Sequence, residues 1–535
     1  MGIPSYFSHI VKSHRHIIKE YNTRMAIQNL YLDCNSLIYE AAHNTEYKKS
    51  NIDNIIIKKV CEKLVYYINL IKPSNKVLIA FDGVAPVAKL EQQRNRRYKS
   101  AFQQEIIDDL TNKEHVKQWD TISITPGTNF MNKLVRDINI YFKDVKKFNV
   151  NEIIISNSDI AGEGEHKIYE YIRENPEYHK NTKTIIYGLD ADLIMLTLNH
   201  LHIAKELYLF RETPDFIKSL DNSLNPNSNY ILDIPEFGNK LSLELNNNNV
   251  PSTNQEKNKV FDYILLCFLL GNDFLPHFPA LNIRTNGITI LTDVYNNEIG
   301  NKNKNLTNGT KIIWKNLRKI INELSLNEHT YIMEEYSIRK KWRRNLNRVT
   351  NRPEDQLNMV PIKDNSVEQY INPNEKGWEE RYYKELFDIR IDEERKKEIC
   401  LNYLQGLEWT LKYYTQGCID WRWKYHYDYP PLLVDLIKYV PYFETNLLEK
   451  KNKNPVSSLT QLAYVLPSNK LNYLPNNLHK MLHEKHPEWY CSNHSFKWAF
   501  CKYFWESHAV MPEIDIDELE EIVNTTSLFS KNNLN

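Results

Sequence analysis

The stretch Lys183–Leu198, KTIIYGLDADLIMLTL, decides the fold expected for this chain. Residues 185–187 are apolar and β-branched or aromatic, which predicts a short buried strand. Gly188 interrupts this run, and the apolar residues from position 193 onward predict a helix. Asp190 and Asp192 therefore stand at a strand-to-helix turn, where open α/β sheets place their ligand sites. A solvated turn is the alternative that these two carboxylates alone leave open.

Composition limits the classes of protein to which the chain can belong. It has 535 residues with 68 Lys plus Arg and 68 Asp plus Glu, so a polyanionic partner would need a local basic patch. A hydrophobic content of 41% with 12% aromatic residues predicts a folded globular protein. The seven cysteines include no C-x-x-C pair, which disfavours both a zinc module and a disulfide framework.

No targeting or membrane segment is predicted. The longest apolar run, residues 264–270, is much shorter than the roughly 18 residues that a membrane span needs. Gly2 is followed by Tyr6 at the position where a myristoylation signal needs Ser or Thr. We therefore expect a soluble intracellular protein, with the cytoplasm favoured and the nucleus left open.

Strands and helices are predicted to alternate along the first half of the chain. The strands are expected at 28–33, 76–82, 152–156, 184–187 and 206–210, and the main helices at 54–72 and from the turn at 162–165 through Arg173. This alternation predicts a mostly parallel sheet with right-handed crossovers. A further apolar helix within 262–271 ends at Gly271 and places Asp273 in a loop.

Acidic residues follow four of these strands. The carboxyl ends of parallel strands meet at one edge of a sheet, so these acids should converge there together with Asp273. The predicted set is Asp33, Asp82, Glu163, Glu165, Asp190, Asp192 and Asp273. Crowded carboxylates need a counter-charge, and an all-oxygen set suits Mg²⁺ or Mn²⁺ better than Zn²⁺. Two such ions roughly 3.5–4 Å apart are the usual arrangement for phosphodiester hydrolysis. The alternative is that the carboxylates only cap helices and turns.

Residues 86–99, PVAKLEQQRNRRYK, concentrate positive charge directly after Asp82. Lys89, Gln93, Arg96 and Arg97 would share one face of a helix. Guanidinium groups match the geometry of phosphate, so this face predicts a phosphate pocket beside the acids. A solvated basic helix is the alternative.

Several motifs together resemble those of the XRN family of 5′→3′ exoribonucleases. They are LYLDCNSLI, AFDGVAPVAKLEQQRNRRYKSA, SITPGTNFM, AGEGEHKI, YGLDADLIML and CFLLGNDFLPH, followed by 377–387, 407–431 and 463–467. The resemblance implies a Mg²⁺-dependent, processive nuclease of RNA decay or processing that removes mononucleotides from single-stranded RNA with a 5′-monophosphate.

The resemblance also implies roles for individual residues. The seven acids would bind two metal ions, and the 5′-phosphate would lie against Lys89, Gln93, Arg96 and Arg97. Tyr39, which stands where the family has a His, would stack on a base together with Trp421 or Trp423. The family's zinc-knuckle insert and the long carboxyl-terminal extensions of its large members are not found, which predicts a short member limited to the catalytic core.

The expected fold is α/β, a PIN/flap-nuclease-like and mostly parallel sheet with flanking helices, completed by a largely helical carboxyl-terminal block. We expect a nuclease core at 1–290, a basic, Asn-rich linker or helical region at 291–370, an aromatic-rich block at 371–525 that closes the site, and a tail at 526–535. Segments 246–259 and 301–310 are predicted as loops, and 337–352 as a solvated helix or linker rather than an RNA track. The protein is expected to be a monomer.

Two other functions remain open. A flap-type DNA endonuclease would share the acidic edge, but residues 271–287, GNDFLPHFPALNIRTNG, are rich in Pro and Phe where those enzymes have a glycine-rich turn. A catalytically silent RNA-binding or scaffold protein is disfavoured because every expected acid is present.

Overall fold

The computed structural model describes residues 2–3, 5–45, 51–111, 119–212, 224–225, 228–247, 249, 251–302, 304–346, 352–388, 392–449, 451, 453–490 and 495–532. Its β-strands are β1 (Ile18–Glu20), β2 (Asn29–Asp33), β3 (Lys76–Ala80), β4 (Glu152–Ser156), β5 (Thr184–Tyr187), β6 (Leu207–Arg211), β7 (Tyr230–Asp233), β8 (Ser495–Lys497) and β9 (His508–Val510).

Helices surround the sheet and make up most of the second half of the chain. The α-helices are α1 (Tyr6–Ser13), α2 (Asn35–His43), α3 (Ile52–Ile71), α4 (Val87–Thr111), α5 (Asn129–Tyr141), α6 (Gly164–Glu174), α7 (Pro176–His179), α8 (Asp192–His200), α9 (Ile234–Glu244), α10 (Thr253–Phe268), α11 (Gly287–Glu298), α12 (Trp314–Arg344), α13 (Pro353–Asn358), α14 (Val360–Lys363), α15 (Ser366–Ile371), α16 (Trp378–Phe387), α17 (Glu393–Gln416), α18 (Leu433–Tyr439), α19 (Ser458–Val465), α20 (Asn476–Lys485) and α21 (Ile516–Asn532).

Seven of the strands form one sheet, in the order β1-β7-β6-β5-β2-β3-β4. The five from β6 to β4 run parallel to their neighbours, whereas β7 and β1 are antiparallel at one edge. In the central strand β2, Leu32 pairs with Ile79 on one side and with Tyr187 on the other. The predicted α/β fold with a mostly parallel sheet is confirmed, and β1 and β7 add an antiparallel edge that the sequence does not predict.

Alternate residues of the strands bury both faces of the sheet, as the two-residue period of a strand requires. Tyr31 and Ile186 pack on the face covered by α6, α8 and α10. Leu32 and Ile79 pack on the opposite face, under α2, α3 and α5. Because both faces are covered, the acids that follow the strands can only emerge at the edge where the parallel strands end.

The middle of the chain is more helical than its polar composition predicts. The expected loop at 246–259 gives way to α10 at Thr253, because Ser252 and Gln255 form a reciprocal capping box at its amino terminus. Within the basic segment 337–352, residues up to Arg344 continue the 31-residue helix α12, and residues 347–351 lie outside the described ranges. Arg339 is buried rather than solvated.

The carboxyl-terminal helices pack directly on the nuclease core. Val84, Ala85 and Leu90, at the start of α4, share a buried cluster with residues of α19, α20 and α21. The backbone amide of Ala85 donates to Gln461 Oε1 at 2.9 Å. The expected tail is helical as far as Asn532, within α21. None of the helices in the described part of the chain is both long and apolar enough to cross a membrane.

Candidate active site

Each predicted acid lies at the carboxyl edge of the parallel strands or in a loop that reaches this edge. Asp33 ends β2, Asp82 lies two residues after β3, Glu163 and Glu165 flank the start of α6, Asp190 and Asp192 follow β5, and Asp273 follows α10. Three of them form the tightest group: one carboxylate oxygen from each of Asp33, Glu165 and Asp190 lies within 4.8 Å of the other two.

Gly164 allows the acids to approach one another. A Cβ at this position would lie 2.6 Å from Asp33 Oδ1 and 3.4 Å from Asp82 Oδ1. Its backbone amide, at the start of α6, donates to Asp82 Oδ1 at 2.6 Å. Asn35 holds the other oxygen of Asp82 at 2.6 Å and accepts from the Asp82 backbone amide at 3.0 Å. Asp82 is therefore fixed in place by two elements that follow neighbouring strands.

Lys89 lies among the acids. Its Nζ is 2.6 Å from Glu163 Oε2 and 2.7 Å from Asp273 Oδ2. Glu163 also accepts a hydrogen bond from the Tyr413 hydroxyl, at 2.9 Å from Oε1. Burial acts to raise the pKa of the Asp273 carboxyl, but the Lys89 ammonium outweighs it and keeps that pKa below its usual value. Lys89 thus supplies one positive charge to a site with a large excess of negative charge.

Gly2 approaches the same site from the start of the chain. Its backbone amide donates to Asp273 Oδ1 at 3.0 Å. A Cβ on Gly2 would lie 1.8 Å from Asp192 Oδ1, and the backbone φ of +57° is one that glycine tolerates best. The amino-terminal segment therefore belongs to the wall of the acid cluster.

The remaining acids lack a full set of partners. Burial, followed by the charge of Asp82, raises the pKa of Asp33 well above its ordinary value, and burial with the charge of Asp192 does the same for the pKa of Glu165. Burial and the charge of Asp273 raise the pKa of Asp192 to about 7. Asp192 Oδ1 and Glu165 Oε2 are buried with no hydrogen-bond partner among the described residues. Orphaned carboxylate oxygens in a crowded all-oxygen site fit divalent cations.

The basic face predicted on α4 extends from this cluster. Arg96 is exposed, Gln93 is half-buried, and both lie on the same helix as Lys89. Arg97 Nη2 donates to Thr125 Oγ1 at 2.5 Å, while Arg97 Nη1 is buried with no hydrogen-bond partner within the described ranges. Burial lowers the pKa of Arg97 to about 10. An unpaired buried guanidinium nitrogen is suited to bind an anionic oxygen.

The three aromatic residues predicted to stack on bases differ in exposure. Tyr39, on α2, is 40% exposed. Trp421 is half-buried, and its carbonyl accepts from the backbone amide of Val87, the first residue of α4. Trp423 is only 7% exposed and stacks on Trp409 with ring centroids 5.1 Å apart. Tyr39 and Trp421 are therefore better placed than Trp423 to contact a ligand.

A cavity of about 850 Å³ opens beside the acids, between α4 and the carboxyl-terminal block. Asp273 and Arg96 line it, together with residues 270–277, 424–428 and 505–513. The cavity thus connects the acidic edge with one part of the basic face.

Three residues that hold the acids are not predicted from the sequence. Tyr413 is one of many tyrosines in a helix, and Gly2 lies 271 positions from its partner Asp273, so neither gives a local signal. Asn35 could have been found, because it follows Asp33 closely in the motif LYLDCNSLI.

Comparisons with known proteins agree with this arrangement. Residues 1–213 match the XRN 5′-3′ exonuclease N-terminus, and residues 254–372 and 362–530 match the Xrn1 helical domain. The 5′-3′ exoribonuclease 2 homolog of Drosophila melanogaster is 24% identical over 636 residues, which cover 96% of this chain and 70% of that protein. The 5′-3′ exoribonuclease 1 of Saccharomyces cerevisiae is 26% identical over 628 residues, covering 91% of this chain and 40% of that protein.

A solved structure of the Rad2 catalytic core in complex with a DNA substrate also resembles the chain. It is 13% identical, with 63% of this chain and 79% of that chain covered and a TM-score of 0.32.

Proposed function

The chain belongs to the XRN family of 5′-3′ exonucleases and is a 5′-3′ exoribonuclease, and we propose that it is Mg²⁺-dependent, processive and selective for RNA with a 5′-monophosphate. Its products would be nucleoside 5′-monophosphates, and its role RNA decay or processing. The observation that carries this proposal is the position of the basic face of α4 directly beside seven converging acids. One site then provides both the charge for hydrolysis and a means to recognise the RNA end.

The acids are suited to hold two divalent cations. Asp33, Glu165 and Asp190 already share a space small enough for one ion, and Asp192 has a buried oxygen without a partner. Mg²⁺ or Mn²⁺ bound there would activate a water molecule and stabilise the leaving oxygen. Asn35 and Gly164 keep Asp82 in position, and Tyr413 does so for Glu163.

End recognition is assigned to Lys89, Gln93, Arg96 and Arg97. The Arg97 Nη1 donor and the exposed Arg96 guanidinium would bind the terminal phosphate, and bidentate bonds from Arg favour a phosphate over a neutral hydroxyl end. Lys89 bonds to Glu163 and Asp273 in this structure, so its part in the phosphate pocket stays a prediction. Tyr39 and Trp421 would hold the first bases.

The proposal is tested with RNAs of one sequence that carry a 5′-monophosphate, hydroxyl, triphosphate or cap, in Mg²⁺ and in EDTA. We expect rapid release of mononucleotides from the monophosphate RNA in Mg²⁺ alone. Asp190→Ala or Asp192→Ala should abolish turnover while the protein stays folded. Cleavage of flap DNA with RNA left intact would instead identify a flap endonuclease, and binding without any cleavage a silent RNA-binding protein.

End selectivity is tested with the double variant Arg96→Ala and Arg97→Ala. The ratio of initial rates on 5′-phosphate and 5′-hydroxyl RNA should fall towards one, while slow cleavage persists because the acids are intact. Lys at either position should restore only part of the ratio, since an ammonium cannot make the forked contact. The charge-matched control is Lys146→Ala with Lys147→Ala, two exposed lysines far from α4 in the chain. An unchanged ratio in the arginine variant would place end recognition elsewhere.

Stacking at Tyr39 predicts a processivity defect. Stacking on an aromatic ring is worth roughly 1–3 kcal/mol per base, so Tyr39→Ala should slow degradation and shorten processive runs measured in the presence of excess unlabelled RNA. Tyr39→His should be nearly silent, because imidazole also stacks. If Tyr39→Ala leaves run length unchanged, Tyr39 does not contact the substrate.

A further inference from the structure

The cavity beside the active site extends well past the acids. One part of its wall contains Asp273 and Arg96, and another part is formed by residues 505–513 of the carboxyl-terminal block. None of the metal, phosphate or base contacts proposed above uses this second part. A strand of RNA whose 5′ end lies at the acids must continue in some direction, and this cavity is continuous with the acids.

Trp505 is the exposed aromatic residue in this distant wall. Its side chain is 40% exposed, and the residue lines the same cavity as Asp273. A single exposed indole on a protein surface needs no explanation by itself. An exposed indole inside a cavity that begins at a nuclease site offers an aromatic face to any strand that enters it.

The ring of Trp505 is held from behind. It lies nearly parallel to the Tyr503 ring, at a centroid distance of 5.9 Å and an interplanar angle of 15°. The guanidinium carbon of Arg284 is 5.6 Å from the centroid of each ring. Arg284 is ion-paired with Glu506, and Glu506 Oε2 accepts from the backbone amide of Lys502 at 2.7 Å. The indole is therefore largely ordered before a ligand arrives, which lowers the entropic cost of stacking.

Trp505 is also tied to the helix that carries the phosphate-binding face. Lys99 of α4 donates to the carbonyl oxygens of Trp505 and Ser507, at 2.7 and 2.6 Å. Lys89 and Lys99 are ten residues apart on α4, which corresponds to about 15 Å along a helix axis. At 3.4 Å per stacked nucleotide, this distance spans roughly four nucleotides.

We propose that Trp505 is a stacking platform for a base of the RNA strand, downstream of the 5′-terminal nucleotides that Tyr39 contacts. The proposal rests on the proposed function, since it takes the 5′ end of the strand to lie at the acids. Indole stacking tolerates every base, which suits an enzyme that must advance along any sequence. Arg284 and Lys99 add positive charge beside the ring, where the phosphates of the same strand would pass.

The test locates the base that Trp505 contacts. A fluorescently labelled 5′-phosphorylated RNA of ten nucleotides is prepared intact and with a single abasic site at each of positions 1 to 7. Binding of each RNA to the full chain is measured by anisotropy in Ca²⁺, with a gel to verify that the RNA stays whole. The proteins are wild type, Trp505→Leu, Trp505→Phe and Phe443→Ala, the last removing an aromatic side chain that is 71% exposed and does not line the cavity.

In wild type, an abasic site at one position between 3 and 5 should weaken binding by about fivefold or more, the equivalent of ~1 kcal/mol at 1.4 kcal/mol per tenfold. Trp505→Leu should weaken binding of intact RNA by a similar factor and should be insensitive to the abasic site at that position only. Trp505→Phe should retain most of the affinity and the sensitivity, because a phenyl ring also stacks. Phe443→Ala should match wild type. Melting curves verify that Trp505→Leu, which keeps an apolar side chain against Tyr503, is folded.

Two results would overturn the stacking role. One is a Trp505→Leu variant that is folded and keeps the wild-type pattern of abasic penalties. The other is a Trp505→Phe variant that loses as much affinity as Trp505→Leu, which would mean that packing and not stacking is affected. If wild type degrades 5′-phosphate RNA and either result is found, only the assignment of Trp505 fails. If wild type neither binds nor degrades RNA, the proposed function fails with it.

Discussion

At the scale of single residues, Asp192 connects the acid cluster to the stability of the protein. Its folded-state pKa of about 7 compares with an ordinary value of 3.8. Between these values the folded protein keeps a proton that the unfolded chain has lost, so folding becomes less favourable as pH rises, and the penalty is complete above about pH 7. In EDTA, the free energy of unfolding should therefore fall by roughly 1–4 kcal/mol between pH 4 and 7.

Chemical denaturation of wild type and Asp192→Asn across this range measures the effect. The Asn variant should show a smaller decline and should be the more stable protein near pH 7.5 without metal. Mg²⁺ should stabilise wild type more than the variant. Asp144→Asn, which changes an exposed carboxyl, should follow wild type. A variant with the same pH dependence as wild type would contradict the raised pKa of Asp192.

Gly2 makes a second residue-scale prediction. Gly2→Ala should lower activity at least tenfold, because the new methyl group would displace the Asp192 carboxylate that it meets at 1.8 Å. Gly377→Ala is the matched control. Gly377 also has a positive φ, of +77°, but a Cβ there would meet its nearest atom only at 3.7 Å. Both variants should lose about 1–3 kcal/mol of stability from backbone strain, while only Gly2→Ala should lose activity in an RNA degradation assay.

At the scale of elements, the sequence predicts those that have a strong local pattern. The five parallel strands are predicted within two residues of their observed ends, and the acids that follow them are predicted with them, because apolar runs that end in Gly or Asp are local signals. β1 has the sequence IKE and is mostly exposed, so no pattern marks it. The start of α10 is hidden because its first turns are polar, and only the Ser252–Gln255 capping box indicates that the Asn-rich loop ends there.

α12 shows why the basic segment was predicted as solvated and is only partly so. Arg339 forms two bonds to Glu368 of α15, from Nε at 2.8 Å and from Nη2 at 2.5 Å, and Nη2 also donates to the Cys501 carbonyl. Both side chains are buried, at 5% and 3% exposure. The carboxylate that neutralises Arg339 is 29 residues away in the chain, which a local reading of charge cannot find.

This buried pair predicts a large effect at the level of elements. Glu368→Ala leaves the Arg339 charge buried without its partner and should cost about 3–5 kcal/mol of unfolding free energy, measured by urea denaturation. Lys480→Ala is the comparison, because its pair with Glu484 is exposed on both sides, and it should cost no more than about 0.5 kcal/mol. Equal losses in the two variants would mean that the α12–α15 contact contributes no more than a surface pair.

At the scale of the whole molecule, the two halves form one folding unit. A single buried cluster runs from Ile3 to Phe500, and another joins the start of α4 to α19, α20 and α21. The fragment 1–290 should therefore expose apolar surface, bind a hydrophobic dye such as ANS strongly and lack nuclease activity, although it carries all seven acids. A monomeric and active fragment would show instead that residues 1–290 are an independent domain.

The long contacts of α4 also have a consequence for synthesis of the protein. Arg94 donates to the carbonyl of Pro512, 418 positions further along the chain, and Lys99 bonds to that of Ser507, 408 positions further. At about 5–20 residues per second, a ribosome needs roughly 20–80 s to supply these partners. During this interval we expect the nascent chain to be inactive, so the messenger RNA under translation is not degraded by the product that it encodes.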